Sequence, residues 1–289
     1  MIMKKLSITS SVLLLHSVLY TPSVLAKWFN GQDLYTTSHQ RILEGNTSAG
    51  FDSIIQAWQQ APNTEQQANL NELLEFAITE DCGHSLEQKA LPSWLSKLSI
   101  QREVIQNLNQ VMLKLSIVGL TRSKISEITF TKWPEDNIIV STPSIQEGGY
   151  FSVEARRMEK PLSSGVYKIT VKANGEKDWI SWVVLSEPAL KQSLGWRDSK
   201  NWRIEQEGLP NPACPSRILS INLYDLNDTT WTPLWTEEVD GKLPTTLPKI
   251  DVPDGRYWLS VGLIKSRWQG EISILDIQRI TRPVDYPSF

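Results

Sequence analysis

The residues best suited to chemistry lie close together: Cys82-Gly83-His84 places a thiol two positions from an imidazole. A thiolate activated by a histidine is a nucleophile. Enzymes that use such a pair bring its members from distant parts of the chain, so an i, i+2 spacing matches the pattern poorly. The chain has only two cysteines, Cys82 and Cys214. In an oxidising compartment an even count predicts a disulfide, which would consume the thiol; two buried free thiols are the alternative. Neither cysteine has a second one nearby, which argues against a zinc site.

The remaining reactive residues are sparse. His39 lies on an amphipathic stretch with Ile42 and Leu43 and reads as a surface helix residue. There is no Gly-x-Ser-x-Gly, no His-Glu-x-x-His and no phosphate-binding loop. Asp225, Asn227 and Asp228 could face a calcium ion, but without a regular ladder of ligands they read as an Asx-rich turn. No catalytic, cofactor-binding or metal-ligating residue is assigned, and no cofactor is expected. The expectation is a protein that is not an enzyme. Tryptophan is the unusual component: twelve residues, nine of them from Trp133 onward. Most should fill small β cores. One or two, with Trp182, Trp196, Trp202 and Trp231 as the candidates, would be exposed to stack on sugar rings or anchor a protein partner.

The N-terminus sets the compartment. Lys4 and Lys5 precede an apolar run centred on Val12 to Leu15, and Val24-Leu25-Ala26 ends it. This is the order of a cleavable signal peptide over residues 1–26, with the cut between Ala26 and Lys27. The run is too short to anchor in a bilayer, and no later stretch approaches the roughly 20 apolar residues a membrane helix needs. A soluble periplasmic protein without a membrane anchor is expected. Removing 1–26 leaves 27 basic and 32 acidic side chains, a net of −5, with no basic run. Nucleic acid is therefore an unsuitable partner. The terminal Phe289 resembles the end of an outer-membrane barrel, but Pro283 and Pro287 would interrupt that last strand.

Stepping along the chain, the first part reads as helical. Phe51, Ile54, Ile55 and Trp58 share one helix face, Pro62 ends that helix, and Thr64-x-x-Gln67 predicts a capping box for the next. Its face is Leu70, Leu73, Leu74, Ala77 and Ile78. A further helix is predicted over 100–115 from Ile100, Val104, Ile105, Leu108, Val111, Met112 and Leu115. From Gly119 short alternating runs separated by turns replace this period, as in a β-sandwich. Gly165-Val-Tyr167-Lys-Ile169-Thr-Val171 is echoed by Gly255-Arg-Tyr257-Trp-Leu259-Ser-Val261, each with a proline upstream and a hairpin-like stretch before it. Tandem duplication explains the echo most simply, with chance convergence of two β-hairpins as the alternative. Residues 188–215 would be the connection.

The fold class expected is α+β multidomain: a signal peptide at 1–26, a helical domain at 27–117, and antiparallel β-sandwich domains at 118–190 and 191–289. Within the first part, Leu43-x-Gly45-Asn46…Gly50-x3-Ile54-x2-Ala57-x4-Pro62 resembles the second half of a tetratricopeptide repeat, as a single unit. The stretch Trp28-Phe29-x-Gly31-Gln32-Asp33-Leu34-Tyr35, with Ala57-Trp58-Gln59-Gln60, resembles an uncharacterised family of secreted proteins of marine gamma-proteobacteria. Some members are encoded beside an envelope-sensing two-component system. The resemblance implies a periplasmic, non-enzymatic role and supplies no catalytic residues. The expected partner is another envelope protein, with an envelope glycan as the alternative.

Overall fold

The computed structural model describes residues 33–286 apart from 157, 187–191, 207 and 228–231. The signal segment, the Ala26/Lys27 junction, Trp28 and Trp231 lie outside the described residues. Three helices come first: α1 (Leu34–Leu43), α2 (Thr47–Gln59) and α3 (Thr64–Ala77). Each starts on a side-chain cap that satisfies a first-turn N–H. Thr36 N donates to Asp33 Oδ1 at 2.7 Å, and Ala49 N donates to Asn46 Oδ1. The capping box of α3 sits one residue earlier than expected. Asn63 and Gln66 exchange bonds of 3.0 Å, and Gln67 Nε2 donates to Pro62 O instead. Asn caps at least as well as Thr, so Thr64 becomes the first helical residue. Gly50 lets α1 and α2 approach, because a Cβ there would lie 2.4 Å from Ile42 Cγ1.

The apolar faces of α2 and α3 meet as expected. Phe51, Ile54, Ile55, Leu70, Leu73 and Leu74 form one cluster, closed by Leu86, Val166 and Val184. The last two belong to a sheet, so the helices pack on strands instead of forming an independent bundle. Complete burial of such side chains contributes about 1.5–3 kcal/mol each.

The helix expected over 100–115 is a β-hairpin: β1 (Leu95–Gln106) and β2 (Val111–Thr121). The helical region therefore ends at Ala77, not near 117. Two physical reasons account for the reversal. Ile100, Val104, Ile105, Val111, Ile117 and Val118 are β-branched and favour a pleated surface. Asn107 Oδ1 also accepts from the N–H groups of Asn109 and Gln110, which builds a turn in the middle of the supposed helix. The supposed stripe is split accordingly: Ile100 and Leu115 are fully buried, whereas Leu108 and Val111 are exposed.

The later strands follow the expected alternation: β3 (Ile125–Lys132), β4 (Asp136–Ser141), β5 (Tyr150–Arg156), β6 (Gly165–Ala173) and β7 (Trp179–Leu185). The stretch expected to be a connection holds a strand pair, β8 (Gln192–Trp196) and β9 (Trp202–Gln206). Then come β10 (Ile218–Asp225), β11 (Pro233–Val239), β12 (Gly255–Gln269) and β13 (Ile272–Tyr286). The chain is mostly β with a helical N-terminal stretch.

One sheet has the order β4-β3-β6-β7, and a seven-stranded sheet has the order β11-β10-β12-β13-β1-β2-β5. The echoed motifs thus occupy corresponding places, because β4-β3-β6-β7 and β11-β10-β12-β13 repeat the same antiparallel order. Tyr167 and Tyr257 are both buried, and each hydroxyl donates to the carbonyl four residues upstream, on Ser163 (2.6 Å) and Pro253 (2.7 Å). A tyrosine hydroxyl bonded back to the chain a few residues upstream has the form of a tyrosine corner.

Within the seven-stranded sheet, β13 links β11-β10-β12 to β1-β2-β5. β13 pairs antiparallel with β12 along its whole length and parallel with β1 from Leu98↔Ile272 to Gln106↔Ile280. Alternation along β12 puts Tyr257, Leu259, Val261 and Leu263 into one apolar core. Ile272 and Ile274 of β13 belong to another core with Leu98, Ile100 and Phe130. The same sheet face serves both, so Lys265, Arg267 and Asp276 fall on the seam between them.

Candidate functional site

The seam is built from three segments that meet around the tip of the β12–β13 hairpin. The first is the turn after α3. Asp81 accepts from the N–H groups of Gly83 (2.9 Å) and Ser85 (2.7 Å), and Cys82 and Gly83 have left-handed φ values of 58° and 92°. Gly83 is required there, since a Cβ would lie 2.1 Å from Trp268 O. The turn presents its carbonyls to the hairpin: Trp268 N donates to Cys82 O at 2.9 Å and Gly270 N to Gly83 O at 3.1 Å. His84 stacks on the Trp268 ring with centroids 4.5 Å apart. Cys82-Gly83-His84 is thus a docking turn, and its thiol is not available as a nucleophile.

The second segment is 209–214. Cys214 forms the expected disulfide with Cys82, with Cα atoms 4.8 Å apart, within the span a bridge permits. Asn211 Nδ2 donates to Ile78 O at 2.9 Å, which ties the segment to the end of α3. The third is the end of β7. Val184 N donates to Gln269 Oε1 (3.1 Å), and Gln269 Nε2 donates to Val184 O (2.7 Å). Arg267 Nη2 donates to the same carbonyl at 3.0 Å, and Arg102 Nη1 to Ser186 O at 2.9 Å.

These segments leave an open cleft of about 490 Å³ between α3, the 209–214 segment and β12. Glu75, Phe76, Leu209, Asn211, Lys265 and Arg267 contribute to its lining, with Cys214 at one side. Phe76 and Leu209 are large apolar side chains left exposed, at 53% and 91%. Arg267 is nearly completely buried, and its Nη1 has no acceptor among the described residues. Burial, and then the nearby charge of Arg102, push its guanidinium down to about 10, against the opposite pull of Asp276 and Glu75. It stays charged at neutral pH. Asp276 is spent on Arg102, which holds it through Nε (2.7 Å) and Nη2 (2.6 Å).

A second buried charge lies on the other face of the same sheet. Burial pushes the Glu103 carboxyl up, but the Arg279 guanidinium and the Lys114 ammonium (2.9 Å) outweigh it and hold the group below the ordinary carboxylate range. Its bonds tie β1 to β2 and β13, so this is a structural network across three strands.

Of the tryptophans singled out from the sequence, Trp196 and Trp202 meet each other, and Trp182 belongs to a different cluster. Trp202 is core, 1% exposed, and donates to Pro244 O. Trp196 meets it edge-on at 80° and carries the Arg282 guanidinium over its ring. Trp182 packs against the helices and meets Trp133 at 71°. Trp133, 40% exposed, is the one exposed tryptophan among those described. His39 is exposed on α1, and Asn227 N donates to Asp225 Oδ1 in an Asx turn; Asp228 is outside the described residues. The cleft was missed by sequence reasoning. Its one sequence signal is a Lys265-x-Arg267 pair continuing the inward-facing positions of an apolar strand.

A family model matches residues 28–285. The chain belongs to the DUF2861 family, described as proteins of unknown function. No curated protein matches it. Among solved structures it is similar to the BSP domain of a biofilm-associated protein, at 15% identity and a TM-score of 0.24, over 68% of this chain and 30% of that one. It is also similar to the FN1–FN3 domains of chicken CNTN1 (13%, TM-score 0.20, 65% and 67%). A tetra-tandem repeat from the extending region of a large adhesion protein gives 11% and a TM-score of 0.19, over 65% and 49%. The chain spans under a third of the first of these.

Proposed function

We propose that this DUF2861 protein is a non-enzymatic binding or adaptor protein of the cell envelope that recognises another protein, with the cleft beside the disulfide as its working surface. The protein works in the periplasm after removal of residues 1–26. The disulfide suits that compartment, and no helix among the described residues is long and apolar enough to cross a membrane. The β part is read as two tandem sandwiches, fused where β13 pairs with β1. The repeated strand order and the two tyrosine corners support that reading.

The observation that carries the protein-partner reading is the exposure of Phe76 and Leu209 at the cleft between α3, the 209–214 segment and β12. A glycan platform needs coplanar exposed rings, whereas the Trp pairs here meet edge-on. A photo-crosslinking residue at Leu209, compared with one at the exposed Val140 of β4, tests the proposal in cells. A discrete protein adduct from position 209 alone, whose protein also binds the purified chain, is expected. Equal adducts from both positions, or adducts to glycan only, would overturn it. Mass spectrometry of the exported protein should find Lys27 as its first residue.

A further inference from the structure

We infer that the cleft captures the C-terminal carboxylate of a polypeptide whose last side chain is apolar, with Lys265 and Arg267 holding the carboxylate and Phe76 and Leu209 holding the side chain. This deepens the protein-partner reading and rests on it. Side chains alternate along β12 between the two faces of the sheet. After Leu263 the next inward positions are Lys265, Arg267 and Gln269, so two cations stand where the strand has so far placed core residues.

Gln269 is used by Val184. Arg267 uses Nη2 on Val184 O, and Nη1 is left without an acceptor inside the protein, where an unsatisfied donor is costly. Lys265 has no ion pair and no side-chain hydrogen bond among the described residues. Two acids are near. Asp276 is held twice by Arg102, and Glu75 accepts only a long 3.4 Å bond from Ser186 Oγ. The lining therefore offers two cations against one loosely engaged carboxylate, a surplus suited to a single incoming anion. An Arg and a Lys converging on a carboxylate make charge-assisted bonds stronger than neutral ones.

The rim of the cleft is apolar at two positions. Phe76 on α3 and Leu209 in the 209–214 segment would lose their exposed area to a bound side chain. An acyl chain needs a closed apolar tunnel, but this cleft is open, and Glu75, Thr79 and Asn211 set polar groups among Ile78, Pro212 and Cys214 in its lining. Glu75 can accept an N–H from a peptide, which a fatty acid does not offer. Capture of a terminal carboxylate is a known mode of peptide recognition.

The test uses the full mature chain and short synthetic peptides ending in Ala, Val, Leu or Phe, each as free acid and as C-terminal amide, read by fluorescence anisotropy. At least one free acid ending in Leu or Phe should bind saturably, with its amide about tenfold weaker or more. Lys265→Ala and Phe76→Ala, both on partly exposed residues and checked for native thermal unfolding, should each weaken the acid about fivefold or more, while Val140→Ala leaves it unchanged. Decanoate should not displace the peptide. Equal binding of acids and amides, no binding up to about 1 mM, or competitive displacement by decanoate would each overturn the inference. A specific protein adduct from position 209 combined with equal acid and amide binding would remove the carboxylate inference and leave the adaptor proposal standing.

Discussion

The side-chain amide of Gln269 on β12 closes both backbone hydrogen-bonding groups of Val184 on β7, accepting from its N–H at 3.1 Å and donating to its C=O at 2.7 Å. Gln269 is fully buried and stands where a neighbouring strand would otherwise pair. It therefore caps the β7 edge and joins the four-stranded sheet to the hairpin of the seven-stranded one. An edge left open inside the protein would carry unsatisfied polar groups.

Replacing Gln269 by Leu keeps the volume and removes both bonds. One buried N–H is then left without a partner, while the carbonyl keeps Arg267. The expected loss is about 2–4 kcal/mol, from an unsatisfied donor plus a lost bond. Urea unfolding should show a lower midpoint at unchanged slope. An unchanged midpoint would mean that the amide is not closing the edge.

Glu103 gives the fold an acid-sensitive element. Its carboxyl titrates below the unfolded value of about 4.5, because Arg279 and Lys114 outweigh its burial. A depressed folded pKa adds stability at neutral pH, and that contribution fades as pH falls from about 4.5 through the lower folded value. Glu103→Gln should cost about 1–3 kcal/mol at pH 7, since a charged partner is lost to two cations that remain partly solvated. The difference from the parent protein should shrink toward pH 3. A gap that stays constant with pH would assign the loss to packing instead.

The two tyrosine corners should behave alike. Tyr167→Phe and Tyr257→Phe each remove one hydroxyl bond to a carbonyl four residues upstream and leave the ring in place. Each should destabilise by about 0.5–1.5 kcal/mol, and the double variant by nearly the sum, because the corners lie in different cores. Guanidinium titrations of the three variants check this. A null effect at one corner would weaken the duplication reading.

Thiol titration of the native protein should detect no free thiol, since Cys82 and Cys214 are bridged. The bridge closes a loop with a sequence separation of 132 residues. Replacing both cysteines by Ser should cost up to about 5 kcal/mol on chain-entropy grounds. The same variant should loosen the 209–214 side of the cleft, visible as faster amide exchange at Asn211 and Ala213.

Some of this was legible before any coordinates. The two helical faces of α2 and α3, the hairpins β3–β4 and β10–β11, the echoed Gly-x-Tyr strands and the disulfide follow from local period, turn chemistry and cysteine count. These are properties of neighbouring residues, or of a compartment, and the sequence states them directly. The 100–115 segment shows where that ends. Its apolar residues fit a helical period, and the β-branching and Asn107 turn that oppose it are reinforced by β13, some 170 positions away, which pairs with Leu98 to Gln106. The cleft is a product of the same decision. Lys265 and Arg267 read as ordinary strand residues until β13 runs from one core to the other and leaves a seam under them. The sequence determined which residues are apolar, which turns form and which cysteines can pair; only the tertiary structure decided that three distant segments meet at one hairpin tip, because that contact depends on long-range pairing free energy that no local pattern encodes.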